Sequence, residues 1–164
     1  MSRLILHIGL PKSGSSAIQA YLAGNARRLN DHGLGWLPGS RGPNATELAI
    51  AFSHRDNAIT TAYGVRSEHD RQTLRERLAD RLRREADHDV IISSEHLSSM
   101  LRTPAEIDDL AGFLRGLGFR PVIIGVVRRA DHWLPSAYAE AVRSGRTIKL
   151  GASFVERRAH LLDH

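Results

Sequence analysis

The stretch LILHIGLPKSGSS, Leu4 to Ser16, decides how the rest of the chain is read. Leu4 to Ile8 is a short apolar run, and Ser15 to Leu29 has a helical pattern. GLPKSGSS, Gly9 to Ser16, is therefore predicted to be the turn that joins a strand to a helix. At such a junction the free amides and the positive end of the helix dipole favour an anion, and glycine lets the backbone approach it. Gly9 and Gly14 have the spacing of the G-x-x-x-x-G-K-[ST] phosphate loop, but Ser15 holds the place of its Lys. The lysine has moved inside the loop, to Lys12. A Lys after the last glycine reaches forward to β- and γ-phosphates, whereas one inside the loop sits nearer the first phosphate and its bridging oxygen. The loop thus predicts a ligand with a shorter anionic chain than a triphosphate. Ser15 and Ser16 offer two hydroxyls where a phosphate oxygen needs donors.

Outward from the loop, two further apolar, partly β-branched runs stand out, Val90 to Ile92 and Pro121 to Val127. None of the three alternates with polar residues, the pattern of a parallel sheet covered on both faces. Helical patterns occupy Arg71 to Ala86, Pro104 to Leu117, Asp131 to Arg143 and Ser153 to Leu162. The second of these is opened by Thr103 as cap with Pro104 at its first position, and Gly118 closes it. Alternating strands and helices predict a three-layer α/β/α domain with a central parallel sheet. Gly33 to Asn44 (GLGWLPGSRGPN) reads as loop or short extended structure, either a surface excursion or a lid. No internal repeat appears.

The chain has 164 residues, 41% of them apolar, which predicts one domain over 1–164. It has no cysteine, which excludes disulfides and thiolate metal sites. No apolar run reaches 18 residues, and the first apolar run leads straight into the glycine loop rather than to a cleavage site. A cytoplasmic protein without a membrane span is the expectation. The net charge of +5 invites a nucleic-acid reading. However, only Lys12 and Lys149 are lysines, and most arginines alternate with acids. In Arg71 to Asp89 the charges surround an apolar stripe at Leu74, Leu78 and Leu82, which predicts the solvated face of an amphipathic helix. No aromatic and basic residues interleave as a nucleic-acid surface requires. A small anionic ligand accounts for the excess charge equally well.

P-K-S-G-S-S, Pro11 to Ser16, resembles the 5′-phosphosulfate loop of sulfotransferases that use 3′-phosphoadenosine 5′-phosphosulfate (PAPS), written P-K-[ST]-G-[ST]-[ST]. The resemblance implies a P-loop-related sulfotransferase fold in which Lys12 meets the bridging oxygen between phosphate and sulfate. Pro11, Ser13, Gly14, Ser15 and Ser16 would then form the cradle of the 5′-phosphate. The family holds the donor's 3′-phosphate with an Arg at a strand end and a Ser eight residues on, and VVRRADHWLPSAY supplies Arg128 and Ser136 at that spacing. An Arg fork suits phosphate. Arg129 competes for that role, and a bland reading has the Arg pair capping a strand and meeting Asp131. The likeness runs from the loop to about Leu162. The family's bacterial members are commonly longer, with a C-terminal stretch that helps hold the adenosine or 3′-phosphate. By that comparison the chain, ending in HLLDH within a helical pattern, is expected to be C-terminally short, as a truncated piece, a naturally shortened relative or a chain completed by a partner.

Sulfuryl transfer needs a base for the acceptor proton. The second strand ends IISSEHLSS, which puts Glu95 and His96 at the carboxyl end of a parallel strand, where ligands bind in open α/β sheets. An S-S-E segment lies at this place in the bacterial sulfotransferases the chain resembles. Carbohydrate sulfotransferases often use a Glu as base and the phenol and steroid enzymes a His. Glu95 is the favoured base, His96 the alternative, and Ser94 a positioning candidate; a Glu that merely caps the next helix is the bland reading. His7 reads as a hydrogen-bonded core residue. His160 and His164 share helical spacing without a third ligand, so no metal is expected. Trp36 and Trp133 read as core or lid residues.

The expected function is transfer of a sulfuryl group from PAPS to a hydroxyl or amine of a small-molecule or carbohydrate acceptor, without metal and without nucleic acid. The alternatives are a P-loop kinase or nucleotide hydrolase with a degenerate loop, and a non-catalytic adenine-nucleotide-binding domain. The acceptor and the oligomeric state are left open by the sequence.

Overall fold

A computed structural model describes residues 1–147, 149 and 151–156. The strands are β1 (Ser2–Gly9), β2 (Leu34–Trp36), β3 (Asp89–Ser93) and β4 (Phe119–Val126). The helices are α1 (Ser15–Gly24), α2 (Ala26–Asp31), α3 (Thr46–Phe52), α4 (Ala58–Ala62), α5 (Glu68–Arg83), α6 (His96–Met100), α7 (Pro104–Gly116), α8 (Ala130–Arg143) and α9 (Ala152–Glu156). All four strands are parallel, in the order β2-β3-β1-β4, with helices flanking the sheet. This is the expected α/β/α architecture.

β1 lies inside the sheet, with His7 in register with Ser93 on one side and Ile124 on the other. The chain leaving β1 travels to the β2 edge, whereas the chain leaving β3 crosses to β4. Right-handed crossovers then place α1 and α7 on opposite faces. The connections diverge at the carboxyl ends of β1 and β3, so a crevice opens there. The main core joins Leu4, Leu6, Val90 and Ile92 of the sheet to Leu48, Phe52, Leu82 and Leu114 of the helices. A second cluster holds Trp133, Ala137 and Ala141 of α8 with Phe154 of α9.

In Gly33 to Asn44 the short extended alternative holds for Leu34–Trp36, the edge strand β2, paired to β3 through Leu34–Asp89 and Trp36–Ile91. Several other expectations need correction. The helix expected over Ser15 to Leu29 is two helices, broken at Asn25, whose φ of −117° leaves the helical region. The α5 arginines are not merely solvated: Arg71 is buried and donates from Nε to Ser53 O at 2.9 Å, and Arg75 donates to Ala51 O at 2.8 Å. Arg81 pairs at 3.0 Å with Glu47, whose side chain is buried. The apolar run of β4 predicts cover on both faces, yet Ile123 and Ile124, on opposite faces of this edge strand, are 57% and 46% exposed, so neither face is fully covered there by the described residues. The helix expected from Ser153 is seen as α9 through Glu156, and the rest of it, with His160 and His164, lies outside the described residues. No described helix is long and apolar enough to cross a membrane, and no group of potential metal ligands occurs among the described residues.

Candidate functional site

In the loop after β1, four consecutive backbone carbonyls are engaged by side chains. Gly9 O accepts from Ser98 Oγ at 2.7 Å, and Leu10 O from Ser13 Oγ at 2.6 Å. Pro11 O accepts from the indole Nε1 of Trp133 at 2.6 Å, and Lys12 O from Arg128 Nη1 at 3.0 Å. Four consecutive carbonyls are thus tied down by side chains, three of them from distant parts of the chain. Lys12 has φ 69° and Gly14 φ 98°. Left-handed backbone of this kind curls successive amides toward one concavity, which receives anions. For Lys12 it is a strained conformation, of the sort that persists where surrounding contacts impose it. Ser15 and Ser16 open α1, and Gly14 caps it without a side-chain bond, so the first amides lack intrahelical acceptors.

Gly9 is needed here for space. A Cβ on it would stand 2.8 Å from both Ser13 Oγ and Ser15 Oγ, too close for either to stay. Ser15 is 2% exposed, and its Oγ is buried without a hydrogen-bond partner. Pro11, Lys12, Gly14, Ser15, Ser16 and Glu95 line one cavity of about 230 Å³. The loop and the favoured base, 80 residues apart in sequence, therefore face a common space.

The other expected site residues divide clearly. Ser13 serves the loop's own backbone, as its bond to Leu10 shows. Arg128, not Arg129, meets the loop; Arg129 turns to Asp131 at 2.8 Å. Ser136 is half-buried on α8, eight residues after Arg128, and is not part of the cavity lining. His96 turns to the start of α3, with Nδ1 3.0 Å from Thr46 Oγ1 and 3.4 Å from Asn44 Nδ2. Burial lowers its pKa below the ordinary imidazole value, against the charge of Glu95. Glu95 occupies the N-cap position of α6 but makes no side-chain capping bond, so it is not spent on the helix.

His7 is buried, as expected for a core histidine. Its Nδ1 lies 2.7 Å from Ser93 Oγ, and burial lowers its pKa with the Glu95 charge opposing. His7 Nε2 and Ser94 Oγ have no partner, so unsatisfied polar atoms gather at this end of the sheet. Trp133 is a core residue at 1% exposure, and its indole N–H holds the loop. Trp36 belongs to β2, and its Nε1 is buried without a partner.

Three contributors were not expected from sequence: Ser98, the indole of Trp133 in its loop-holding role, and Glu140. Lys12 Nζ donates to Glu140 Oε2 at 2.9 Å, and Arg143 reaches the same oxygen at 3.1 Å. Hydrogen bonding and charge from Lys12 hold the Glu140 carboxyl below its usual range. The lysine is thus turned onto α8. Chemically, the site brings together helix-start amides, a buried hydroxyl without a partner, a lysine paired with Glu140, and the Glu95 carboxylate, a donor-rich set able to take an anion. A scan against protein-family models finds no match for this chain, and a search of curated proteins finds none either.

Proposed function

We propose that the protein is a sulfotransferase that moves a sulfuryl group from PAPS to a hydroxyl or amine acceptor. The observation that carries the reading is the loop itself: four carbonyls taken up by side chains, Ser15 Oγ buried without a partner, and Glu95 lining the same cavity. A buried hydroxyl lacking a partner needs an explanation, and an oxygen-rich anion supplies one. When bound, PAPS supplies the sulfuryl group and a phosphate as leaving group.

In this reading the loop amides with Ser15 and Ser16 hold the 5′-phosphate and keep it from rotating. Lys12 exchanges Glu140 for the bridging oxygen, where negative charge grows as the sulfur–oxygen bond breaks. Glu95 takes the acceptor's proton as the acceptor oxygen or nitrogen bonds to sulfur, and the phosphate departs as adenosine 3′,5′-bisphosphate (PAP). Arg128, with its guanidinium beside the loop, and Ser136 form the 3′-phosphate pair. His96 is the poorer base, because its Nδ1 faces Thr46 and Asn44.

Calorimetry with PAP against ATP plus Mg²⁺ tests the reading. PAP is expected to bind more tightly, and tighter binding of ATP would end the proposal. Glu95→Gln is expected to bind PAP normally and to lose sulfate transfer. Transfer that survives in Glu95→Gln would move the base to His96.

A further inference from the structure

A second cavity, of about 280 Å³, lies between the link joining α3 to α4 and the segment joining α6 to α7. Two guanidinium groups line it, held on consecutive carbonyls of α6. Arg102 donates from Nε to Ser99 O at 3.0 Å, and Arg55 from Nη2 to Met100 O at 2.9 Å. Beneath them Glu106, whose side chain is 1% exposed, binds both chain segments. Its Oε2 accepts from Arg55 Nη2 at 3.1 Å and from the Arg102 amide at 2.7 Å, and its Oε1 from the His54 amide at 2.8 Å.

The charges in this cavity do not balance. Glu106 answers one of the two arginines, and Asp56, the other acid at the wall, is taken by Arg71. One positive charge is left, and neither terminal nitrogen of Arg102 has a hydrogen-bond partner among the described residues. A guanidinium presents paired donors suited to carboxylate or sulfate oxygens. The cavity also has a fixed relation to the loop. Ser99 on its wall is four residues after Glu95, so the two are neighbours on one face of α6, about 6 Å apart along its axis.

We propose that this cavity takes a monoanionic group, a carboxylate or a sulfate ester, carried by the acceptor whose hydroxyl or amine reaches Glu95. The inference rests on the sulfotransferase reading for the word acceptor, and on the Arg55–Arg102 geometry for the anion. It narrows the acceptor class to molecules that bear their own negative charge, such as sugar acids.

The test is an NMR titration of the full chain with glucuronate and, separately, with glucose, each with and without saturating PAP. The arginine Nε–H resonances provide the readout. Glucuronate is expected to shift Arg55 and Arg102 saturably, and glucose is not. Arg102→Ala is expected to weaken glucuronate about tenfold or more, with Arg102→Lys between it and wild type. Both variants are expected to bind PAP as wild type does. Equal affinity for glucuronate in Arg102→Ala, or shifts confined to the loop residues, would overturn the proposal. A wild-type chain that ignores PAP yet still titrates glucuronate on Arg102 would keep the anion site and remove the sulfotransferase reading.

Discussion

Replacing Ser15 with alanine separates the structural and ligand-binding roles of the loop, because the two effects have opposite signs. Ser15 is 2% exposed and its Oγ makes no hydrogen bond in the protein. A buried hydroxyl without a partner costs on the order of 1–3 kcal/mol, less where water reaches it, and a methyl group carries no such cost. The free Ser15→Ala protein is therefore expected to be as stable as wild type or up to about 1 kcal/mol more stable. For a domain of this size that is a rise of about 2–4 °C in Tm. Binding should move the other way. A hydrogen bond to a charged oxygen is worth about 1.5–3 kcal/mol, so affinity for PAP should fall roughly 10- to 100-fold. Ser13→Ala is the control: its Oγ bonds Leu10 O at 2.6 Å, so its loss should destabilise the free protein by about 1 kcal/mol. Thermal unfolding with and without PAP, combined with calorimetry, reads both quantities. A Ser15→Ala protein that melts well below wild type while binding PAP unchanged would refute the argument, since the hydroxyl would then have a structural role.

Glu140→Gln frees Lys12 from its 2.9 Å contact, and because that pair is exposed the expected gain in PAP affinity is only about two- to fivefold. The gain should fade at high salt and disappear in a Lys12→Ala background; a gain that persists there would show that Glu140 acts by another route. Glu106 gives a prediction in pH. Burial pushes its carboxyl up, but amides of His54, Arg102 and Thr103 outweigh that and hold it down, at about 2. Its folded-state pKa lies below the ordinary 4.5, so its stabilising contribution is present above about pH 4.5 and lost as pH falls through about 2. Tm measured against pH should show Glu106→Gln well below wild type at neutral pH and converging on it in acid; a constant difference would contradict this assignment.

The parts of this protein legible in sequence are those governed by neighbours along the chain. Apolar strand, glycine loop and helix follow one another from Leu4 to Ser16, so both the parallel sheet and the strand-to-helix turn could be read locally. Thr103 and Pro104 mark the start of α7 for the same reason, with Glu106 completing the capping box. β2 is legible only as loop or short extended structure: it has three residues and no periodicity, and it pairs as a strand along the edge of β3. The apolar run of β4 predicts a doubly covered strand, but whether helices lie over both faces at its position depends on how distant segments pack.

The same division runs through the site. Lys12, Gly14, Ser15 and Glu95 could be named as candidates from residue type and spacing, the first three in the turn from strand to helix and Glu95 just beyond a strand end. Which of them share a cavity was decided by the fold. The pairing of β1 beside β3 brings Glu95 across from the loop, and a chain segment of one strand could not report that. Ser98, Trp133 and Arg128 reach the loop carbonyls from 89 to 122 residues away. Nothing in their local sequence marks that role, since a hydrogen bond to a backbone carbonyl requires a position and not a motif. The turn of Lys12 onto Glu140 is likewise a matter of where α8 packs, so the residue types of the loop were written locally and the partner of its lysine was set by tertiary contact.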